Sequence, residues 1–338
     1  MLVGADLSLS DFPRLDGETD DSPRLARAVA KCPSGVLYVP AGVYEIASPV
    51  VVDNLCSLLL HKSAILRAVK EMDFVLTVDN RRQWDKTLRA PGMPEDYNLF
   101  LRGGQIDGNG LASCLVICAY HHFTFADMTI LNGRKYGVKI DDGGRYGYEM
   151  IANNIYCKTV LPGLAGNIAM CILGGDSHYT DIVVVDYTVG FQLLEHGWAN
   201  RLTRCHVWGG PIPSAKAGEP PEMLKDSVNF EIRVGGNILR DCYADTGKTG
   251  FLIAAETRLD GCSYFSNPVF KLDGITCIAH ECGNLTVAHS SFTKTAPNVK
   301  IYDGCGEVSW RDCKTSGFEP GEIPFGAAGA AKDAQRLA

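Results

Sequence analysis

Two aspartates are placed to do chemistry. Asp186 closes the apolar run "DIVVVD", and Asp245 closes "CYAD". Between them lies "CHVWGG", with His206 and Trp208. Two carboxyl groups about 6.5–9.5 Å apart can cleave a glycosidic bond, one protonating the leaving oxygen and the other activating water. Aspartates after a short strand also serve as turn residues that bond their own backbone. Both readings of this pair stay open. A second set stands in "LLEHGWAN" (193–200), where Glu195, His196 and Trp198 share one loop. An indole face packs on sugar C–H groups, so a Trp beside a carboxylate and an imidazole is a natural sugar platform. Two half-buried Trp residues covering the structure are the plainer alternative. Gln192, Glu231 and Arg233 occupy alternating strand positions, and fit either a site for a substrate carboxylate or a surface ion pair.

Other clusters are thinner. "KIDDGGRYGYE" carries Asp141, Asp142 and Arg145. Neighbours on an extended chain point apart, which favours a loop role over calcium or uronate binding. "AYHHF" brings His121 and His122 without companions at zinc-ligand spacing, so it reads as a corner and no metal site is assigned. "GGQIDGNG" (103–110) could grip phosphate, calcium or nothing. A phosphate loop needs a helix behind it, but "LASCLVICAY" follows and reads as strand. A calcium loop needs more carboxylates. The expectation is a strand Gln105-Ile106-Asp107 turning through Gly108-Asn109-Gly110, with calcium at Asp107 the minor reading and no other cofactor.

What holds these residues in place must be short and repeated. The chain has 338 residues, 46% hydrophobic and 21% charged, with a net charge of −7. Nothing basic dominates, so nucleic acid is a poor partner. No apolar run reaches a membrane span. The first residues lack a secretory signal, which suggests the cytoplasm unless a signal was removed. The 13 cysteines include no CxxC pair and read as reduced core residues. In "DGETDDSPRLARAVA" Ser22 suits an N-cap and Pro23 the first helical position, with the acids favouring the helix dipole. "VLYVPAGVYEI" reads as strand, turn and strand.

From about Leu99 on, short strands alternate with turn residues and no long helix is expected. "NRLTRC", "NILRDC", "TRLDGC", "CGNLTVAHS" and "CGEVSWRDC" repeat one plan. Setting Leu202, Leu239, Leu259, Val287 and Trp310 as equivalent gives steps of 37, 20, 28 and 23 residues. The longest step holds the Pro-rich insertion 209–227. A second strand repeats in phase. Val138, Phe191, Phe230, Phe251, Phe270 and Val299 are set to point inward, and Lys139, Gln192, Glu231, Lys271 and Lys300 outward. Period-two strands at such steps without helices between them make an all-β solenoid, a parallel β-helix. Cys205, Cys242 and Cys262 then form an inward ladder. Residues 1–50 form a cap with a short helix, 51–318 the solenoid, and 319–338 a flexible tail. On this alignment His206 and Trp208 lie on the coil between Asp186 and Asp245, with Trp208 one coil on from Trp198.

"DGETDDSPRLARAV…GVLYVPAGVYEI" resembles the opening of pectate-lyase-like β-helix proteins, and "GGQIDGNG" resembles a turn of the polygalacturonase-type glycoside hydrolases. With the repeats, the resemblance spans most of residues 11 to 318. It implies a right-handed β-helix that acts on or binds polysaccharide, often as a homotrimer. The polygalacturonase acid motifs are not matched: "GNIAMCILGGD", "VVVDYTVGF" and "CHVWGG" stand in their places. The acids, His and Trp concentrate between Asp176 and Glu256. The sequence therefore reads as a carbohydrate-active enzyme cleaving or rearranging glycosidic bonds. Asp186, Asp245, His206 and Glu195 are its catalytic candidates. Trp198, Trp208, His196, Glu231, Arg233 and Gln192 are its substrate contacts. A calcium- or base-dependent polysaccharide lyase and a non-catalytic glycan-binding tail or adhesin are the alternatives.

Overall fold

The computed structural model describes residues 5–84, 98–141, 144, 147–161, 164–209, 224–266 and 272–325. Their strands form two long sheets, one of twenty segments and one of ten. One turn of the chain shows the plan. Val189–Leu193 lies in the smaller sheet, a corner follows, and Arg201–Thr203 and His206–Trp208 lie end to end in the larger sheet. The chain then returns to the smaller sheet at Val228–Ile232, which pairs in parallel with Val189–Leu193. Each coil thus rests on the one before it, at the 4.7–4.9 Å spacing of paired strands.

The equivalence read from the repeats is the observed register. Leu202 pairs with Leu239, Leu239 with Leu259, Leu259 with Val287, and Val287 with Trp310. A second column runs inside the smaller sheet. Phe191, Phe230 and Phe251 are fully buried and stack nearly parallel, with centroids 5.3 and 5.1 Å apart. Two parts of that column differ from the sequence reading. Met170 stands between Val138 and Phe191, on a coil whose strand Ile168–Ile172 has too little alternation to be recognised. Beyond Phe251 the register runs through Ile278 to the half-buried Tyr302, while Val299, buried as expected, pairs with Ile275. Phe270 and Lys271 lie outside the described residues, as do most of the insertion and the tail from 326 on.

The larger sheet bends at one residue per coil. Asp127, Asn154, Asp181, Arg204, Asp241, His289 and Asp312 all take left-handed backbone, with φ between +49° and +59°, and Gly261 does so at +68°. Asn, Asp and His tolerate that region best among residues with a Cβ. The residue before each ladder cysteine is therefore a bend, and the cysteine after it points in. Cys205, Cys242 and Cys262 are buried, with their Sγ atoms on backbone carbonyls. Burial pushes the Cys242 and Cys262 thiols far up. The thirteen cysteines are free, and only Cys282 and Cys305 are exposed.

At the N-terminal end the helix Ser22–Ala30 covers the solenoid with Leu25, Ala28 and Val29. Its N-cap is Asp21 rather than Ser22. The Ser22 hydroxyl instead accepts from the Ala47 and Ser48 amides and ties the helix to the strand Gly42–Ile46. Burial would raise the Asp21 carboxyl, but the Arg14 guanidinium and the Glu45 amide hold it below its usual range.

"GGQIDGNG" is a structural corner. The strand is Gln105–Asp107, and Asn109 and Gly110 turn with positive φ. Asp107 is buried and fully engaged. One oxygen accepts from the Asn109 amide and the Asn132 side chain, both at 2.9 Å, and the other from Arg67 at 3.0 Å. A Cβ on Gly108 would sit 2.3 Å from the Ala112 carbonyl oxygen, so only glycine fits there.

Candidate functional site

The second half of the larger sheet carries a cluster of rings and one carboxylate. His206 pairs with Tyr243 on the next coil, and their rings stack at 4.5 Å. Trp208 stands two residues along from His206, its ring 6.3 Å from the imidazole. Asp245 follows two residues after Tyr243, one coil above Trp208. Its carboxylate accepts from the Thr246 hydroxyl and from Tyr243 Oη at 3.3 Å. Burial raises the Asp245 carboxyl despite those bonds, and it lowers the His206 imidazole against the pull of Asp245. The same burial raises the Tyr243 phenol to about 12. His206 Nε2 is buried with no hydrogen-bond partner among the described residues. Burial makes the Asp245 carboxyl hold its proton to higher pH than a free aspartate, and it keeps the His206 imidazole neutral near neutral pH. That is an acid and a base brought together by strand register.

Asp186 does not join this cluster. It is buried, with φ of +61°, and its amide bonds the Trp208 carbonyl. Its left-handed backbone matches that of Thr246, the residue after Asp245. The two aspartates are therefore one strand position and two coils apart, and Asp186 fills a corner. Counting strand ends alone could not separate an outward position from the corner that follows it.

Glu195, His196 and Trp198 lie at the other end of the larger sheet. His206 and Trp208 belong to the same turn of the chain, but Arg201–Thr203 and His206–Trp208 separate the two tryptophans. Trp198 is 44% exposed and meets Tyr148 with ring centroids 6.3 Å apart. Its loop rests on Gly175, where an added Cβ would lie 2.8 Å from the Trp198 carbonyl oxygen. Glu195 and His196 are exposed in that loop.

Gln192, Glu231 and Arg233 do come together, on the outer face of the smaller sheet. Gln192 pairs with Glu231 and donates to it at 2.7 Å. Arg233 bonds the other Glu231 oxygen and reaches Glu281 at 3.1 Å on a further coil. Glu231 is buried under these partners, and the bond that Arg233 donates to it raises the Arg233 guanidinium. The arrangement is a closed network between strands. Asp141 pairs with Lys139 beside it, while Asp142 and Arg145 lie outside the described residues.

One cluster was missed by reading along the chain. His121 and His122 do occupy a corner, but the coil above supplies Glu149. His121 Nε2 lies 3.0 Å from Glu149 Oε2, and His122 Nε2 meets the same oxygen. The contacts span 28 and 27 residues of sequence, and only coil register reveals them.

No family model matches the sequence, and no curated protein matches it. Solved structures do. An alginate lyase from Paenibacillus superposes with a TM-score of 0.55 at 12% identity, over 85% of this chain and 97% of that one. The tailspike of E. coli bacteriophage HK620, solved with a pentasaccharide, gives 0.55 at 12% identity over 90% of this chain. The ORF18 protein of Geobacillus virus E2 gives 0.54 at 12% identity over 89% of this chain. This chain has the right-handed parallel β-helix fold. It spans 65% of the tailspike chain and 61% of the viral protein.

Proposed function

We propose that this β-helix binds a poly- or oligosaccharide on its outer surface and acts on its glycosidic linkages. The observation that carries the reading is the placing of Asp245, its carboxyl raised by burial, one coil from a neutral His206 among the rings of Trp208 and Tyr243. A carboxyl whose hold on its proton is strengthened by burial is suited to protonate a leaving glycosidic oxygen, and a neutral imidazole can take a proton from water or from a sugar carbon. The rings supply apolar faces for the sugar. Asp186 is left out of the chemistry because it is buried at a corner.

The test is a panel of polysaccharides scored together for new reducing ends and for absorbance near 235 nm. Reducing ends without absorbance mean hydrolysis, and absorbance means β-elimination. Asp245→Asn should lower either by at least about 100-fold, in line with the 10²–10⁴ contributed by a positioned acid or base. Turnover that survives both Asp245→Asn and His206→Gln would move the chemistry elsewhere. A second reading, glycan binding without turnover, is favoured by the exposed Trp198 beside Tyr148, across the larger sheet from Asp245 and His206. It expects oligosaccharide affinity that Trp198→Ala abolishes and Asp245→Asn leaves alone.

A further inference from the structure

The corner at His121, His122 and Glu149 presents two imidazole nitrogens and one carboxylate oxygen within 4.8 Å of one another. Several features hold the three together. Tyr148 bridges to His121 below it and to Gly175 above it, which fixes the coil register. His122 and Glu149 both take left-handed backbone, φ +49° and +59°, and each turns its side chain at the corner. That backbone lets two adjacent histidines serve one point, which an extended pair could not do. The two rings stack at 4.2 Å, 17° from parallel. Gln83 donates to the His121 carbonyl at 3.0 Å, and the Glu149 amide donates to the Asp176 carbonyl at 3.2 Å. The side chains are 21%, 44% and 44% exposed, so an ion could enter from solvent.

We propose that His121, His122 and Glu149 bind one divalent transition-metal ion of the zinc type. Both Nε2 atoms face a single carboxylate oxygen, and two imidazoles plus one carboxylate are a ligand set that zinc takes with water in its fourth position. Ligand atoms about 3 to 3.5 Å apart suit metal–ligand distances near 2.0–2.2 Å, and the His121–Glu149 contact of 3.0 Å already lies at that span. Hard oxygen-only ions such as calcium do not suit two nitrogens. The proposal stands apart from the acid–base pair at Asp245, which lies across the larger sheet.

The test uses the full chain stripped of metal, with Cys282→Ser and Cys305→Ser in the background because those two thiols are exposed. Zinc chloride is titrated by calorimetry, and bound metal is counted by mass spectrometry after desalting. One equivalent should bind, and the thermal midpoint should rise with it. Glu149→Gln and His122→Ala should each weaken binding by at least about 100-fold, at or beyond the upper end of losses seen for groups that only support a ligand. Cobalt(II) in the same site should give visible d–d bands that both variants lose. His289→Ala should change nothing, although His289 also sits beside carboxylates, Asp260 and Asp312. No uptake, or uptake that survives Glu149→Gln and His122→Ala, would overturn the proposal and leave the cluster as a polar contact between coils.

Discussion

Replacing Asp107 with alanine removes three hydrogen bonds at once. Its carboxylate serves the Asn109 amide, the Asn132 side chain and Arg67, each at 2.9 to 3.0 Å. Asp107 and Asn132 are 4% exposed, so the Asn132 amide loses a partner that water cannot easily replace. Arg67 is 42% exposed and regains water, which discounts its share. A hydrogen bond to a charged group contributes about 1.5–3 kcal/mol, and an orphaned buried group costs about 1–3 kcal/mol. Together these give a loss of about 3 kcal/mol for Asp107→Ala, allowing for Arg67. Asp107→Asn keeps the shape but turns a donor toward other donors, and should lose about 2 kcal/mol. Urea unfolding followed by circular dichroism reads this as a lower midpoint at an unchanged slope. Loss at this corner should spread along the solenoid, because each coil is stabilised by its neighbours. A shift within about 0.5 kcal/mol, the range of an ordinary surface change, would refute the buttress reading. So would a midpoint that rises on adding millimolar calcium, which would mean that the carboxylate has room for an ion.

Phe230 sits between two stacked rings and is fully buried, so Phe230→Ala should cost about 3–5 kcal/mol while Phe230→Leu keeps most of the volume and costs less than half of that, both read by urea midpoint. Burial raises the Asp245 carboxyl, so the native state keeps a proton that the unfolded chain releases above about pH 4. Its contribution therefore falls as pH rises through the raised value. Asp245→Asn should be at least as stable as the parent at pH 7 and should lose that advantage near pH 3, as thermal midpoints across pH would show. His206 runs the other way: lowered by burial, it weakens the fold as pH drops below about 6.5, and His206→Gln should flatten that limb.

The solenoid was legible because its repeats are written in residue types. The Leu202-to-Trp310 column, the inward cysteines and the phenylalanine stack follow from alternation and spacing, and the register agrees with them. The coil at Ile168–Ile172 was lost because "NIAMCI" is apolar nearly throughout, so period two does not show. The candidate sites were less legible, since each depends on what the next coil brings. His121 and His122 look alone until Glu149 is stacked on them. Asp186 and Asp245 look equivalent until one residue of offset sends the first into a corner. Gln192, Glu231 and Arg233 form one set because they share a face, although their partners fill every oxygen of Glu231.

The column of left-handed residues gives this chain a reading frame. Between Asp241 and Gly261 the backbone makes one complete circuit and returns to the same conformation at the same place in the sheet. An insertion of any length is harmless to the frame if it falls between strands, as the 209–227 segment does between His206–Trp208 and Val228–Ile232. A single residue gained or lost within a strand is not, because every side chain after it changes sides until the next bend. Such a protein can lengthen or shorten by whole circuits far more readily than by single residues. Its natural unit of variation is the turn.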